Sequence, residues 1–436
     1  MEEARQLASA LSSHDIVESR DARQQLARFI SPERLVEMWQ QGQEQIAAAL
    51  LEEAESVGND DVYMALGDGF KSLFDPAANM SMAEQFLVLD TTHIVARFLV
   101  NGIASEDLTK AAYVRPALLA LLTVVPPTVA PAIGELVSAS LKTERVLRLF
   151  DENNPESSEN EKLCKFLLTH TDLISFITSS TANAFDNDPL LVANYMAISA
   201  IIGRHEKIPI ILLDKIEKTL VESKDDFVFC FVCRACAVAL RHHDSNALNF
   251  AVSWVTAAAN RLMDCSHDAY DAIYDLLGAA STTSTGWNSV QSLLKEERIK
   301  HGLNVAALRA ITLNFLDVLV QSPHVENSFF SLTLLHAVWQ LRNDPNDTVR
   351  EKLWEFLNDG IARENIINSM ESLCASFLCS PQQEANVAIR ELQLRVATRL
   401  VSHARLPGEV MERLRQFISR GLYPPSSVGM EAMSRH

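Results

Sequence analysis

Asp344-Pro345-Asn346-Asp347-Thr348-Val349-Arg350 is the stretch that decides the fold. A short acceptor side chain, a proline and then a Thr-Val-Arg run read as the start of a helix. The Asx oxygen takes a backbone N–H orphaned by the first turn, and proline brings no N–H that needs a partner. The same opening recurs at Ser31-Pro32, Asp75-Pro76, Asn154-Pro155, Asp188-Pro189 and Ser380-Pro381. With Arg115-Pro116 included, the prolines from Pro32 to Pro189 follow one another at steps of 44, 40, 39 and 34. From Pro189 to Pro345 is 156, four steps of 39, and from Pro345 to Pro381 is 36. A unit of about 40 residues holds two or three helices that bury their apolar faces only by stacking on the next unit.

The rest of the chain agrees. Strand-like alternation is almost absent, and apolar residues recur at helical spacing; Leu191, Tyr195, Ile198 and Ile202 share one face. Helices are predicted at 31–54, 82–100, 190–204, 208–222, 226–241, 247–263, 267–280, 305–320, 328–341, 348–357 and 385–403. The quoted stretch resembles the inter-repeat turn of HEAT repeats, which runs Asp-Pro, an acidic residue, then Val-Arg. The fold class is therefore all-α, a HEAT/armadillo-like helical-repeat solenoid of nine to ten repeats over residues 1–421. Residues 151–161 are predicted to form a mobile acidic loop, and 422–436 a disordered C-terminal tail.

Composition narrows the function. The 436 residues are 48% hydrophobic, enough for a large core, and Gly and Pro together make up only about 7% of them. The formal charge is −18 with no basic run, which argues against nucleic acid or an anionic membrane surface as partner and favours a basic protein. The nineteen uncharged residues between Arg115 and Glu135 approach a membrane span, but Pro126-Pro127 divide them. They read as two buried helices, 116–125 and 128–141, joined by a turn. No secretory signal is read at Met1-Glu2-Glu3-Ala4-Arg5, and seven cysteines fit a reducing compartment. The expected location is the cytoplasm, with the nucleus as a second compartment.

Candidate chemistry is sparse. Cys230, Cys233 and Cys236, with His242-His243 beyond, suggest a metal site, but the fourth cysteine is missing and the surrounding Phe227–Val232 run reads as a buried helix. Gly67-Asp68-Gly69-Phe70-Lys71-Ser72 superficially resembles a phosphate loop; Phe70 intrudes, no strand precedes it, and a turn is the better reading. Trp339 and Trp354 each stand four residues before an Asn, as in the peptide-binding ladder of armadillo import adaptors. That ladder recurs once per repeat of about 40, whereas these two copies fall well within one repeat, which makes them structural. No catalytic motif is found, and neither an enzyme nor a cofactor is expected. Asp268, Asp271 and Asp275 form one helical stripe opposite Tyr270, Tyr274 and Leu277, fit either for water or for a partner's Lys and Arg. Arg234, the only charge between Asp226 and Arg241, completes the candidate partner-binding residues.

Three segments carry a resemblance to a family. Leu414-Arg415-Gln416-Phe417-Ile418-Ser419-Arg420-Gly421-Leu422-Tyr423, followed by a Pro/Ser/Val tail, resembles the closing pattern of the proteasome non-ATPase regulatory subunit 5 family. The helix from Asp268 to Gly278, ending at Leu-Gly before the polar run 281–288, resembles a helix of that family that ends before a polar loop, and Glu384 to Leu394 resembles its late repeat. The resemblance implies a chaperone for assembly of the proteasome regulatory particle base. Its partner would be the C-terminal small domain of an ATPase subunit, held so that the immature ATPase does not dock on the core particle. An armadillo-type nucleotide-exchange factor for a heat-shock chaperone and a nuclear transport adaptor are the alternatives.

Overall fold

The computed structural model describes residues 44–57, 60–75, 89–184, 188–242, 245–262, 265–361, 363–380, 384–403 and 406–422, with isolated helical positions before residue 44. Two compact units are present, Met1–Lys215 and Ile216–His436. Among the described residues there is helix and turn but no strand. The chain is an all-α, HEAT-type helical-repeat solenoid.

The first unit contains α1 (Glu44–Val57), α2 (Asp60–Leu73), α3 (Leu89–Ala104), α4 (Leu108–Val124), α5 (Ala130–Ser140), α6 (Ser158–His170), α7 (Leu173–Ala184) and α8 (Pro189–His205). In it α1, α3 and α5 pack in one row, and α2, α4, α6 and α8 in another. The division between units falls within α9 (Ile210–Glu222). The second unit continues with α10 (Asp226–Arg241), α11 (Ala251–Arg261), α12 (His267–Ala280), α13 (Ser284–Leu293), α14 (Glu296–Asn304) and α15 (Arg309–Gln321). Then come α16 (Leu332–Gln340), α17 (Asp347–Gly360), α18 (Glu364–Leu378), α19 (Val387–His403) and α20 (Gly408–Leu422). Here α10, α12, α15, α17 and α19 lie side by side, each packed on the next. Their starts, at Asp226, His267, Arg309, Asp347 and Val387, keep the repeat period expected from the prolines.

Local signals place many of these boundaries. Asp188 caps α8 through the Leu191 N–H, with Pro189 in the first turn. Asp225 caps α10 through the Phe227 N–H. At the deciding turn the cap is Asn346, whose side chain accepts from the Thr348 N–H. Asp344 is buried instead, taking the Asn346 N–H at 2.9 Å and the Arg309 Nη1 at 2.7 Å. The next repeat repeats the lock, with Arg350 bonded to Glu384 at 3.0 and 3.1 Å. Arginines also cover helix C-termini, where carbonyls lack donors. Arg363 donates to the Leu319, Val320, Ser322 and Val325 carbonyls at the end of α15. In the first unit Arg148 donates to those of Ile103 and Ser105 at the end of α3.

Five local expectations are corrected. Pro116 does not begin a helix: α4 starts at Leu108, capped by Asp107, and carries Pro116 in its interior. The segment 67–72 is not a turn but part of α2, because Gly67 lets α2 press on the backbone of α4; a Cβ there would meet the Tyr113 carbonyl. The polar run 281–288 is not a loop throughout, since α13 begins at Ser284 with Thr283 as cap. Of the acidic segment 151–161, the part from Ser158 is helical. The preceding turn is tied down by buried Asn160, which accepts the Asp151 N–H and donates to the carbonyls of Asp151, Asn154 and Pro155. Leu422, expected to begin the tail, closes α20 instead; helix starts expected at Pro32, Pro76 and Pro381, residues 82–88 of one predicted helix and tail residues 423–436 lie outside the described residues. No single helix among the described residues is long and apolar enough to cross a membrane.

Candidate partner-binding face

The row of α10, α12, α15, α17 and α19 presents one side to solvent, and what stands there follows from helix register. In α12 the residues Ala269, Tyr270, Ile273, Tyr274, Leu276 and Leu277 are buried, with the Tyr274 ring stacked on Phe315 of α15 at 4.3 Å. Burying that stripe leaves Asp268 and Asp271 exposed and Asp275 half-buried on the other. Asp275 is the ninth residue of its helix. The ninth residue of α10 is Arg234, of α15 Asp317, of α17 Glu355 and of α19 Arg395. Helices that enter a stack by equivalent turns present equivalent positions to the same side. A row of charges therefore crosses the five helices of this row, acidic at its three central positions.

The members of this row differ in their surroundings. Arg234 is exposed, its guanidinium 5.8 Å from the centre of the Phe231 ring. Phe231 meets Phe227 edge-on at 5.2 Å, and Phe227 is 48% exposed. Asp275 is engaged by both terminal nitrogens of Arg241 at the end of α10, so this candidate is occupied within the chain. Asp268 and Asp271 have no ion-pair partner among the described residues. Gln321 Nε2 donates to Asp317 Oδ2 at 2.9 Å and to Asp359 Oδ2 at 2.8 Å, joining α15 to α17. Asp317 Oδ1 is buried with no hydrogen-bond partner among the described residues. Burial first, then the neighbouring charges of Asp359 and Glu355, push the Asp317 carboxyl up to about 6. Lys352 pairs with Glu355 at 2.7 Å and offsets part of this repulsion.

All four residues chosen from the sequence thus lie on α10 and α12, and the face extends beyond them. Asp317, Glu355, Asp359, Arg395 and Phe227 were missed. The signal for two of them was present, because Asp275, Asp317 and Asp359 follow one another at equal steps of 42, one repeat period.

The thiols have a different setting. Cys230, Cys233 and Cys236 are buried in α10, and burial pushes the Cys233 and Cys236 thiols well above their ordinary range, away from the thiolate that metals and nucleophilic chemistry require. Among the described residues no three His, Cys, Asp or Glu side chains are grouped to hold one ion. Trp339 and Trp354 are buried together, 6.2 Å apart and edge to face, each 5.8 Å from Phe377. They are structural, as their spacing implied.

No family model matches the chain, and no curated protein does. Solved structures do. Kap121p is similar at a TM-score of 0.55 and 11% identity, over 99% of this chain and 44% of that one. Kap95p, from a study of its complex with RanGDP, is similar at 0.53 and 11% identity, over 98% of this chain and 64% of that one. An engineered protein matches over 97% of the chain at 15% identity with a TM-score of 0.45. The chain spans under half the length of Kap121p and just under two thirds of that of Kap95p. At such identities the likeness concerns the fold.

Proposed function

We propose that this chain is a non-catalytic protein-binding scaffold whose partner brings basic side chains to the solvent-exposed face of α12, α15 and α17. The observation that carries this is the exposed carboxylate pair Asp268 and Asp271, unpaired among the described residues and beside that acidic row, with exposed Phe227 and Arg234 on the neighbouring helix. Free carboxylates on a broad, stiff surface steer a basic partner into encounter and fix its register, while the aromatic pair adds apolar area. Within that reading, the partner is the C-terminal small domain of a proteasomal ATPase subunit, and the chain is an assembly chaperone of the regulatory particle base. Occupying that domain blocks premature docking on the core particle by steric exclusion. The resemblance of residues 268–278, 384–394 and 414–423 supports this, and the first of these segments contains the acidic stripe itself. A nuclear transport adaptor is the second reading, favoured by the fold likeness to Kap121p and to Kap95p, the latter solved with RanGDP.

Binding of the purified chain to isolated C-terminal domains of proteasomal ATPase subunits and to a Ran-type GTPase tests both. One ATPase domain should bind, more weakly as salt rises and about tenfold more weakly to an Asp268→Lys/Asp271→Lys variant. Those two carboxylates are exposed, so the variant keeps its fold. Binding of the GTPase and of no ATPase domain transfers the conclusion to the transport reading.

A further inference from the structure

Among the described residues Phe227 is the one aromatic in the set of exposed large apolar side chains. Phe231, half-buried, follows it one turn further along α10, and the two rings form an apolar step on the solvent side of that helix. This step stands beside the carboxylates of α12. Phe227 is the second residue of α10 and Asp268 the second of α12; Phe231 is the sixth and Asp271 the fifth. The two helices pack on each other, so their axes lie roughly 10 Å apart and each ring has a carboxylate across one helix boundary. The Cys230 thiol, between the two rings in sequence, reports the same proximity. Burial first pushes it up, and the Asp226 and Asp268 carboxylates add to this against Arg234. Asp268 and Asp271 have no ion-pair partner among the described residues, whereas Asp275 is held by Arg241. Arg234, exposed, comes one turn after Phe231 on α10.

We propose that α10 and α12 form a two-part docking surface for a partner-protein segment that carries one aromatic or long aliphatic anchor and, within about 10 Å of it, two Lys or Arg side chains. The anchor seats against Phe227 and Phe231, and the basic residues take Asp268 and Asp271. This rests on the reading of α12 as the receiver of basic side chains, and it adds the anchor and the side on which the charge stands. Arg234 repels a cation placed further along α10, so the basic residues fall on the α12 side of the anchor. Exposed ion pairs are individually weak and screened by salt, whereas aromatic contacts concentrate the affinity of an interface. A purely basic segment leaves the rings wet, and a purely apolar one gives the carboxylates no cation. The surface therefore selects segments that combine both.

The test uses the full chain and three labelled peptides of equal length on one alanine-rich helical background, read by fluorescence anisotropy at low salt. The first carries a Phe anchor with Lys four and seven residues later, the second has Ala in place of the anchor, and the third has Glu in place of both lysines. The first should saturate with a dissociation constant on the order of 0.1 mM. The second should bind at least about fivefold more weakly, and the third should show no saturable binding. Phe227→Gln changes an exposed side chain, so the variant keeps its fold. It should bring the first peptide to the affinity of the second and leave the second unchanged. Asp268→Lys/Asp271→Lys should weaken both by about tenfold. Equal binding of the first two peptides, or binding of the first that is unchanged in Phe227→Gln, overturns the proposal while the basic-receiver reading of α12 stands. Absence of binding by both lysine peptides overturns it as well, and the assay with ATPase and GTPase domains then judges the α12 reading separately.

Discussion

Replacing Asp344 by alanine removes two bonds from the lock between successive repeats, and the structure gives the cost. The side chain is 4% exposed and accepts Arg309 Nη1 at 2.7 Å and the Asn346 N–H at 2.9 Å. A charge-assisted bond of this kind contributes about 2 kcal/mol, and an Asx bond that shapes a helix entry about 1 kcal/mol. Arg309 is not stranded, because it keeps the Leu303 carbonyl at 3.1 Å and its side chain remains 27% exposed. The loss should therefore be about 3 kcal/mol, at the low end for breaking a buried ion pair. Asp344→Asn retains an acceptor for the Asn346 N–H and loses only the charge, so it should cost about half as much. Urea unfolding followed by tryptophan fluorescence reads this directly, since buried Trp339 and Trp354 flank the turn. A double-mutant cycle with Arg309→Met should return a coupling of about 1.5 kcal/mol. A loss below about 0.5 kcal/mol for Asp344→Ala, or a coupling near zero, would refute the view that this pair locks the repeats.

Three further outcomes are expected. Asp317, at about 6 in the folded chain against about 3.9 unfolded, favours its protonated form on folding. Its contribution is fully present below about pH 4 and is lost as pH rises through 6. Asp317→Asn should therefore stabilise the chain at pH 7 by about 1 kcal/mol, a figure reduced for the group's partial exposure, and flatten the urea midpoint between pH 4 and 7. Gly67→Ala should lower stability by about 2 kcal/mol or more, measured by thermal unfolding, because α2 would have to move off the Tyr113 carbonyl. Cys233 and Cys236 should react with a thiol reagent only at the rate at which α10 opens, so labelling of the native chain that is as fast as in urea would contradict their burial.

What the sequence settled by itself is what short-range chemistry decides. The limits of α10 and the near limits of α8 were legible because Asp225 and Asp188 cap their starts, and those of α12 because its apolar stripe is uninterrupted. The period near 40 was legible because each repeat must re-enter the stack through a similar turn. The side of α12 that carries Asp268 and Asp271 followed from amphipathicity alone.

Tertiary structure decided the rest. Gly67 looks like a turn until α4 lies against it, and Pro116 looks like a helix start until Asp107 is seen to cap the same helix two turns earlier. Asp344 was read as a cap, yet its carboxylate serves a partner 35 residues away in sequence. Asp275 was read as free and is held by Arg241. Propensity and capping act over four or five residues, whereas burial, ion pairing and the shift of Asp317 depend on which helix is stacked next. That neighbour comes from the adjacent repeat, and its side chains enter the electrostatics only when the stack forms.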